Sequence, residues 1–242
     1  MFDAILALAA FLAGAVASIS GFGIGSILTS LLSLETGTPV AVAAISVPHL
    51  AATVARFWML RASVDRPILL HFGILSAAGG LTGALLHSMA SSRALSLVFA
   101  ALLIFTGLTG LTGYARRMRF GRRAAWIAGG VSGVLGGLVG NQGGIRSAAL
   151  LGFGLGRHSF VATATAIGLI VDAARMPVYF VTAGGEMLSV ARQIGIATAA
   201  TVAGTLLGAR LLRRIPEHVF KPLVAIMVLL LGLWMLVRAQ LE

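Results

Sequence analysis

The chain has 242 residues, of which 58% are hydrophobic and only 10% charged, and its formal net charge is +11. Soluble globular chains carry about a quarter charged residues, so too little polar surface is present to cover a water-exposed fold. Cysteine is absent, which excludes disulfides and thiolate metal sites, and the arginines sit in short loops between apolar runs, as membrane insertion rather than nucleic-acid binding would place them.

The apolar runs lie near residues 5–34, 40–60, 68–89, 94–114, 124–155, 159–181, 188–207 and 219–237. About 20 apolar residues cross the hydrocarbon core as a helix. Eight such runs predict an all-α, polytopic helical membrane protein. Met1-Phe2-Asp3 lacks the basic start of a signal peptide, so no cleavage is expected.

The first run is interrupted by Gly21-Phe22-Gly23-Ile24-Gly25. The fifth is interrupted by Gly140-Asn141-Gln142-Gly143-Gly144, followed by Arg146, the one charge in that run. As one straight helix, residues 124–155 would be about 48 Å long, against a hydrocarbon core of about 30 Å. Residues 3–34 and 123–155 are therefore read as helix–turn–helix hairpins broken at their glycines and re-entrant in the membrane. Non-helical backbone at that depth is tolerated where protein or a wet cavity satisfies it. In the other runs, Pro48 and Pro177 predict kinks. Pro39, Pro67 and Pro216 stand at run starts, where a missing N–H costs little.

An offset of 119 residues superposes Gly14, Gly21, Gly25, Gly37 and Arg56 on Gly133, Gly140, Gly144, Gly156 and Arg175. The offset then grows slightly, pairing Gly83 with Gly204 and Gly107 with Gly232. The chain thus reads as two transmembrane repeats of four elements, 1–115 and 116–242, forming one transmembrane domain. Transporters built from repeats carry their site at the repeat interface.

Helices starting after the two breaks would aim free N–H groups and the positive dipole end at the gap. The expected substrate site is therefore Gly21, Phe22, Gly23 and Gly25 with Gly140, Asn141, Gln142, Gly143 and Gly144, where an anion can bind. The alternative is that the glycines only let helices pack closely. Arg146 is a counter-charge with a planar fork of donors, or else a side chain snorkelling to an interface. Arg175 serves the substrate or pairs structurally with Asp172 one turn earlier. Arg56, Asp172 and His49 are candidates for gating or ion coupling, since intramembrane ionisable groups are functional hypotheses by default. Arg56 could equally be an interfacial anchor with Arg61 and Arg66. His71, His87, His158 and His218, and Trp58, Trp126 and Trp234, lie near run ends and read as interfacial. No metal cluster, nucleophile elbow or nucleotide loop is present in the sequence, so no enzyme and no cofactor is expected.

Gly129-Gly-Val-Ser-Gly-Val-Leu-Gly-Gly-Leu-Val-Gly-Asn-Gln-Gly-Gly144 resembles the glycine-rich signature of the sulfite exporter TauE/SafE family. Ala203-Gly-Thr-Leu-Leu-Gly-Ala-Arg-Leu-Leu-Arg-Arg-Ile-Pro216 and Ala162-Thr163-Ala164-Thr165 extend that resemblance, and Gly21–Gly25 and 43–48 carry it more loosely. The resemblance implies a transporter of sulfur-containing anions such as sulfite, sulfonates or thiosulfate, multi-pass in the bacterial cytoplasmic membrane. The chain departs from the family pattern at Asn141, Gln142 and Arg146, and lacks a proline expected in that segment, which bears on the substrate.

The expected function is a secondary transporter of a small oxyanion by alternating access around a midplane site. The rivals are an anion channel and a non-transporting membrane scaffold. The expected partners are the anion, the bilayer, a coupling proton or sodium ion and a second copy of the chain, with no nucleic acid. Topology follows from the fifteen Lys and Arg that remain when the intramembrane Arg56, Arg146 and Arg175 are set aside. Eight crossings place nine of them inside and six outside, whereas re-entrant hairpins in inverted repeats, with the N-terminus outside, place twelve inside and three outside. The positive-inside rule favours the second arrangement.

Overall fold

A computed structural model describes residues 1–21, 23–114, 122–140, 143–151, 153–212 and 217–241. These residues are helical almost throughout and contain no strand. The first half holds α1 (Phe2–Ser20), α2 (Ile24–Thr36), α3 (Thr38–Leu60), α4 (Arg66–Met89) and α5 (Ser92–Thr112). The second holds α6 (Arg122–Val139), α7 (Gly143–Leu151), α8 (Arg157–Ser189), α9 (Ala191–Leu212) and α10 (Glu217–Leu241). The protein is a polytopic helical membrane protein, as its hydropathy predicts. Among the described residues, 38–63, 66–89, 92–112 and 158–189 are long and apolar enough to cross a bilayer. Apolar side chains such as Trp58, Ile74, Met89 and Val181 stay exposed on the outer surface, where lipid would cover them.

Both long first elements are broken where glycine interrupts them. Gly21 ends α1 at φ 80° and Gly140 follows α6 at φ 71°, the left-handed region where a side chain is strained. The helices after the breaks are short. α2 has 13 residues and α7 has nine, about 20 and 14 Å at 1.5 Å per residue, so neither crosses the core alone.

The remaining boundaries follow local chemistry. Asp65 caps α4 by accepting from the Ile68 amide at 3.0 Å, and Ser91 caps α5 through Ala94. Pro39 and Pro67 fall in the first turns of α3 and α4; Pro216 lies outside the described residues. Pro48 and Pro177 lie inside α3 and α8. α8 is two helical segments joined across a kink at Ala183 (φ −134°), six positions beyond Pro177, the second segment ending at Ser189 before α9 begins.

The halves interlock. α1 packs on α9, α4 on α6, α3 on α8 and α5 on α10. The crossings are held at contact distance by small residues: a Cβ at Gly14 would overlap the Thr201 carbonyl of α9, and one at Gly133 would overlap the Ser76 carbonyl of α4. Gly107 meets Leu229, while Gly232 meets Leu103. Glycines matched by the sequence offset therefore stand at matching crossings. Backbones this close associate by dispersion and Cα–H···O contacts, since lipid supplies little hydrophobic drive between helices.

Candidate functional site

α3 and α8 pack together at the centre of the interlock and carry His49, Arg56, Asp172 and Arg175, while the buried Arg146 is on α7. On α3, His49, Thr53 and Arg56 share one face at i, i+4 and i+7. On α8, Gly168, Asp172 and Arg175 share the equivalent face. Each pair of positions is related by the same 119-residue offset. All the polar members are buried; Arg56, Arg146 and Arg175 rank among the largest fully buried side chains of the chain.

Around Arg175 the polar groups satisfy one another. Its Nε and Nη2 donate to Asp172 Oδ1 at 3.0 and 2.8 Å, and its Nη1 donates to the Gly136 carbonyl at 2.6 Å. The other carboxylate oxygen lies 2.6 Å from His49 Nδ1. One turn on, the Tyr179 hydroxyl donates to the Gly137 carbonyl. The second glycine break borders this group, with Gly140 beside Arg175 and Thr29.

The first glycine break borders a different arrangement. Gly21 faces Ala164 of α8, and its carbonyl accepts from Arg146 Nη2 at 3.5 Å. The Arg146 guanidinium lies against Gly168, where a Cβ would stand 3.0 Å from Nη1. Gly168 is the counterpart of His49, so Arg146 uses the room that an imidazole at that position would need. Arg56 Nε donates to Thr165 Oγ1 at 2.9 Å, one turn from Gly168 on the same helix. Gly21, Arg146 and Arg56 thus converge on α8 over residues 164–168. Here donors are left over. Arg56 Nη1, Arg146 Nε, Arg146 Nη1 and Thr53 Oγ1 are buried with no hydrogen-bond partner.

The two breaks meet. A Cβ on Gly25, in the first turn of α2, would overlap the carbonyl oxygen of Gly140. Gly23 is the N-cap of α2 at φ 126°, and Gly143 opens α7. Of the expected site residues, Gly21, Gly23, Gly25, Gly140, Gly143 and Arg146 are brought to one region, and Gly144 belongs to the first turn of α7. Phe22, Asn141 and Gln142 lie outside the described residues. His49, Asp172 and Arg175 form one contact group. Arg56 is no interfacial anchor: it is 2% exposed, whereas Arg61 and Arg66 are exposed. The cause is local, because Thr165 offers an acceptor in the interior while Arg61 lies over the Trp58 ring at 3.9 Å.

Four roles were not read from the sequence. Thr165 anchors Arg56, and the same Ala162–Thr165 stretch supplies Thr163, which accepts from the Asp65 amide at 2.9 Å and ties down the turn before α4. Thr53 is found by applying the repeat offset to Asp172. His87, expected at an interface, is buried; its Nδ1 lies 2.8 Å from the Leu138 carbonyl and its ring packs edge-on against Tyr179. Its short distance along the chain from the end of α4 concealed that α6 covers it. His71 is exposed and stacks on Trp126.

A family model described as Sulfite exporter TauE/SafE matches residues 6–235. No curated protein and no solved structure gives a significant match.

Proposed function

The chain belongs to the sulfite exporter TauE/SafE family, a family of membrane transporters, and from that premise we propose that it is a secondary transporter of a small, sulfur-containing oxyanion in the bacterial cytoplasmic membrane. The observation that carries the reading is the meeting of the two glycine breaks beside Arg146, whose fork reaches across to the first break. Helix N-termini and a buried guanidinium at one point favour an anion through both dipole and charge. Sulfite, a sulfonate or thiosulfate fits the family and the chemistry. Neither metal nor cofactor chemistry enters the proposal.

Alternating access would rock the interlocked halves about this region. The exchanged packing of α1 on α9 and α4 on α6 supports a two-fold relation between the repeats, as inverted-repeat transporters have. The contact between His49 and Asp172 is the place where a proton gradient could couple to the movement. The charged groups that act on this pair are Arg175, in contact with Asp172, and the more distant Arg56 and Arg146.

Two experiments test the proposal. Purified protein in proteoliposomes should show saturable, counterflow-competent uptake of sulfite, thiosulfate or sulfoacetate. Linear flux without counterflow would identify a channel, and no flux a scaffold. Topology is tested by single cysteines in the cysteine-free chain. Gly156→Cys meets open space, and Glu35→Cys replaces an exposed residue near Gly37, whose φ of 78° would strain a cysteine at position 37 itself. Inverted repeats place residue 35 outside and residue 156 inside. Equal labelling of both by an impermeant maleimide on intact cells would rule that arrangement out.

A further inference from the structure

The buried charges do not balance. Among the described residues, the membrane interior holds the guanidinium groups of Arg56, Arg146 and Arg175 but only one carboxylate, Asp172. Arginine does not deprotonate in proteins, and a buried unpaired charge is costly. Asp172 is spent on Arg175, with both partners in direct contact. The uncompensated cations are Arg56 and Arg146, each fully buried and each carrying donors with no partner. Arg146 repels Arg56, and the attraction of Asp172 reaches both arginines, but the carboxylate is in direct contact with Arg175.

These groups share one place. Thr165 and Gly168, which they touch, are one turn apart on α8. Thr53, with its own unpartnered hydroxyl, lies one turn before Arg56 on α3. We propose that Arg56, Arg146 and Thr53, closed by the first glycine break, form the anion-binding half of the site, and that two unpaired cations select a small oxyanion carrying two negative charges. The inference rests on the oxyanion-transporter reading and deepens it. Arg175 is then paired with Asp172 and the Gly136 carbonyl and is not a ligand of the substrate. A dianion restores charge balance and gives the leftover donors acceptors, whereas a monoanion leaves one guanidinium unpaired. Two guanidinium groups suit a tetrahedral or pyramidal oxyanion, because Arg56 offers Nη1 and Arg146 offers Nε and Nη1 from separate directions.

The test uses the full chain in detergent and isothermal calorimetry with two probes, thiosulfate as the dianion and methanesulfonate as the monoanion, with taurine as a zwitterionic control. Wild-type protein should bind thiosulfate at least about tenfold more tightly than methanesulfonate, the size of effect one charge-assisted contact supplies. Arg56→Gln should remove that preference and weaken thiosulfate by about tenfold or more, while Arg56→Lys keeps part of it. The paired change Asp172→Asn with Arg175→Gln removes one charge of each sign and should leave the preference standing. Arg56→Gln that still prefers the dianion would overturn the inference, as would wild-type protein that binds the two probes equally. If wild-type protein binds neither, the oxyanion-transporter reading itself fails, which is a different result. Should Arg56→Gln not fold, Arg56→Lys and Thr53→Val carry the same comparison: both must weaken thiosulfate more than methanesulfonate, and the inference falls if either does not.

Discussion

Arg56 and Arg175 hold equivalent places in the two halves, and their surroundings differ. Arg175 gives its donors to Asp172 and the Gly136 carbonyl, and Asp172 in turn meets His49. Arg56 has Thr165, and beside it Arg146 has a long bond to the Gly21 carbonyl; three guanidinium nitrogens between them find nothing. The backbone plan is repeated, yet one copy of the site is closed on itself and the other is open. The carboxylate at position 172 faces a threonine at 53 in its counterpart, and the histidine at 49 faces a glycine at 168. Those two replacements turn a cluster in which carboxylate and guanidinium touch into one whose guanidinium has no carboxylate in contact, which is the basis of the proposed anion site. Native proteins seldom leave buried polar groups unpaired, and they do so where function uses them.

The largest effect should come from breaking the closed half. Asp172→Ala strands Arg175 and His49 without their acceptor, and removing one partner of a buried pair costs about 3–5 kcal/mol. Thermal unfolding in detergent should show a lower Tm, and adding Arg175→Gln should recover most of the loss. Asp172→Ala that melts with the wild type would mean that this half does not hold the structure, and the contrast with Arg56 would lose its meaning.

Next in size is the seam where the halves touch. Gly25→Ala drives a methyl group into the Gly140 carbonyl, and overpacking of this kind costs about 1–3 kcal/mol. The breaks should separate, so binding should weaken together with Tm. Gly156→Ala is the matched control: its Cβ meets open space and its φ is −62°, so a change within about 0.5 kcal/mol is expected. Equal effects of the two substitutions would separate the breaks from the site.

Much of this was legible along the chain. Run lengths and charge placement lead to a polytopic helical protein because lipid imposes the same length on every crossing. The breaks at Gly21 and Gly140 are legible because a 32-residue apolar run exceeds one crossing and glycine is needed at positive φ. The 119-residue offset even pairs Arg56 with Arg175. The offset does not say which arginine is neutralised. The i,i+3 spacing announces Asp172 with Arg175, but His49 reaches Asp172 from another helix, 123 residues away. Arg56 with Arg61 and Arg66 reads as an exposed basic cluster until packing places Thr165 against it. Burial of His87 likewise depends on which face of α4 meets α6. Such facts live in helix rotation, which sequence periodicity constrains weakly when every face is apolar; on an all-apolar helix the hydrophobic pattern has no preferred side.

The smallest effects sharpen the comparison most, because their signs should oppose. Tyr179→Phe removes a hydroxyl that donates to the Gly137 carbonyl in the closed half. A made hydrogen bond of this kind is worth about 0.5–1.5 kcal/mol, so Tm should fall slightly and anion affinity should stay put. Thr53→Val removes a buried hydroxyl with no partner in the open half. Valine matches threonine in shape, and deleting an unsatisfied polar atom relieves a desolvation cost of about 1 kcal/mol or more, so the ligand-free Tm should rise. With the anion bound, that hydroxyl has a partner to lose, and affinity should drop by a few-fold, about 1 kcal/mol. Melting curves with and without thiosulfate measure both terms in one experiment: the ligand-induced shift should shrink for Thr53→Val and persist for Tyr179→Phe. A Thr53→Val protein that melts lower than wild type without ligand would show the hydroxyl to be engaged inside the protein, and the open half would then be as closed as its counterpart.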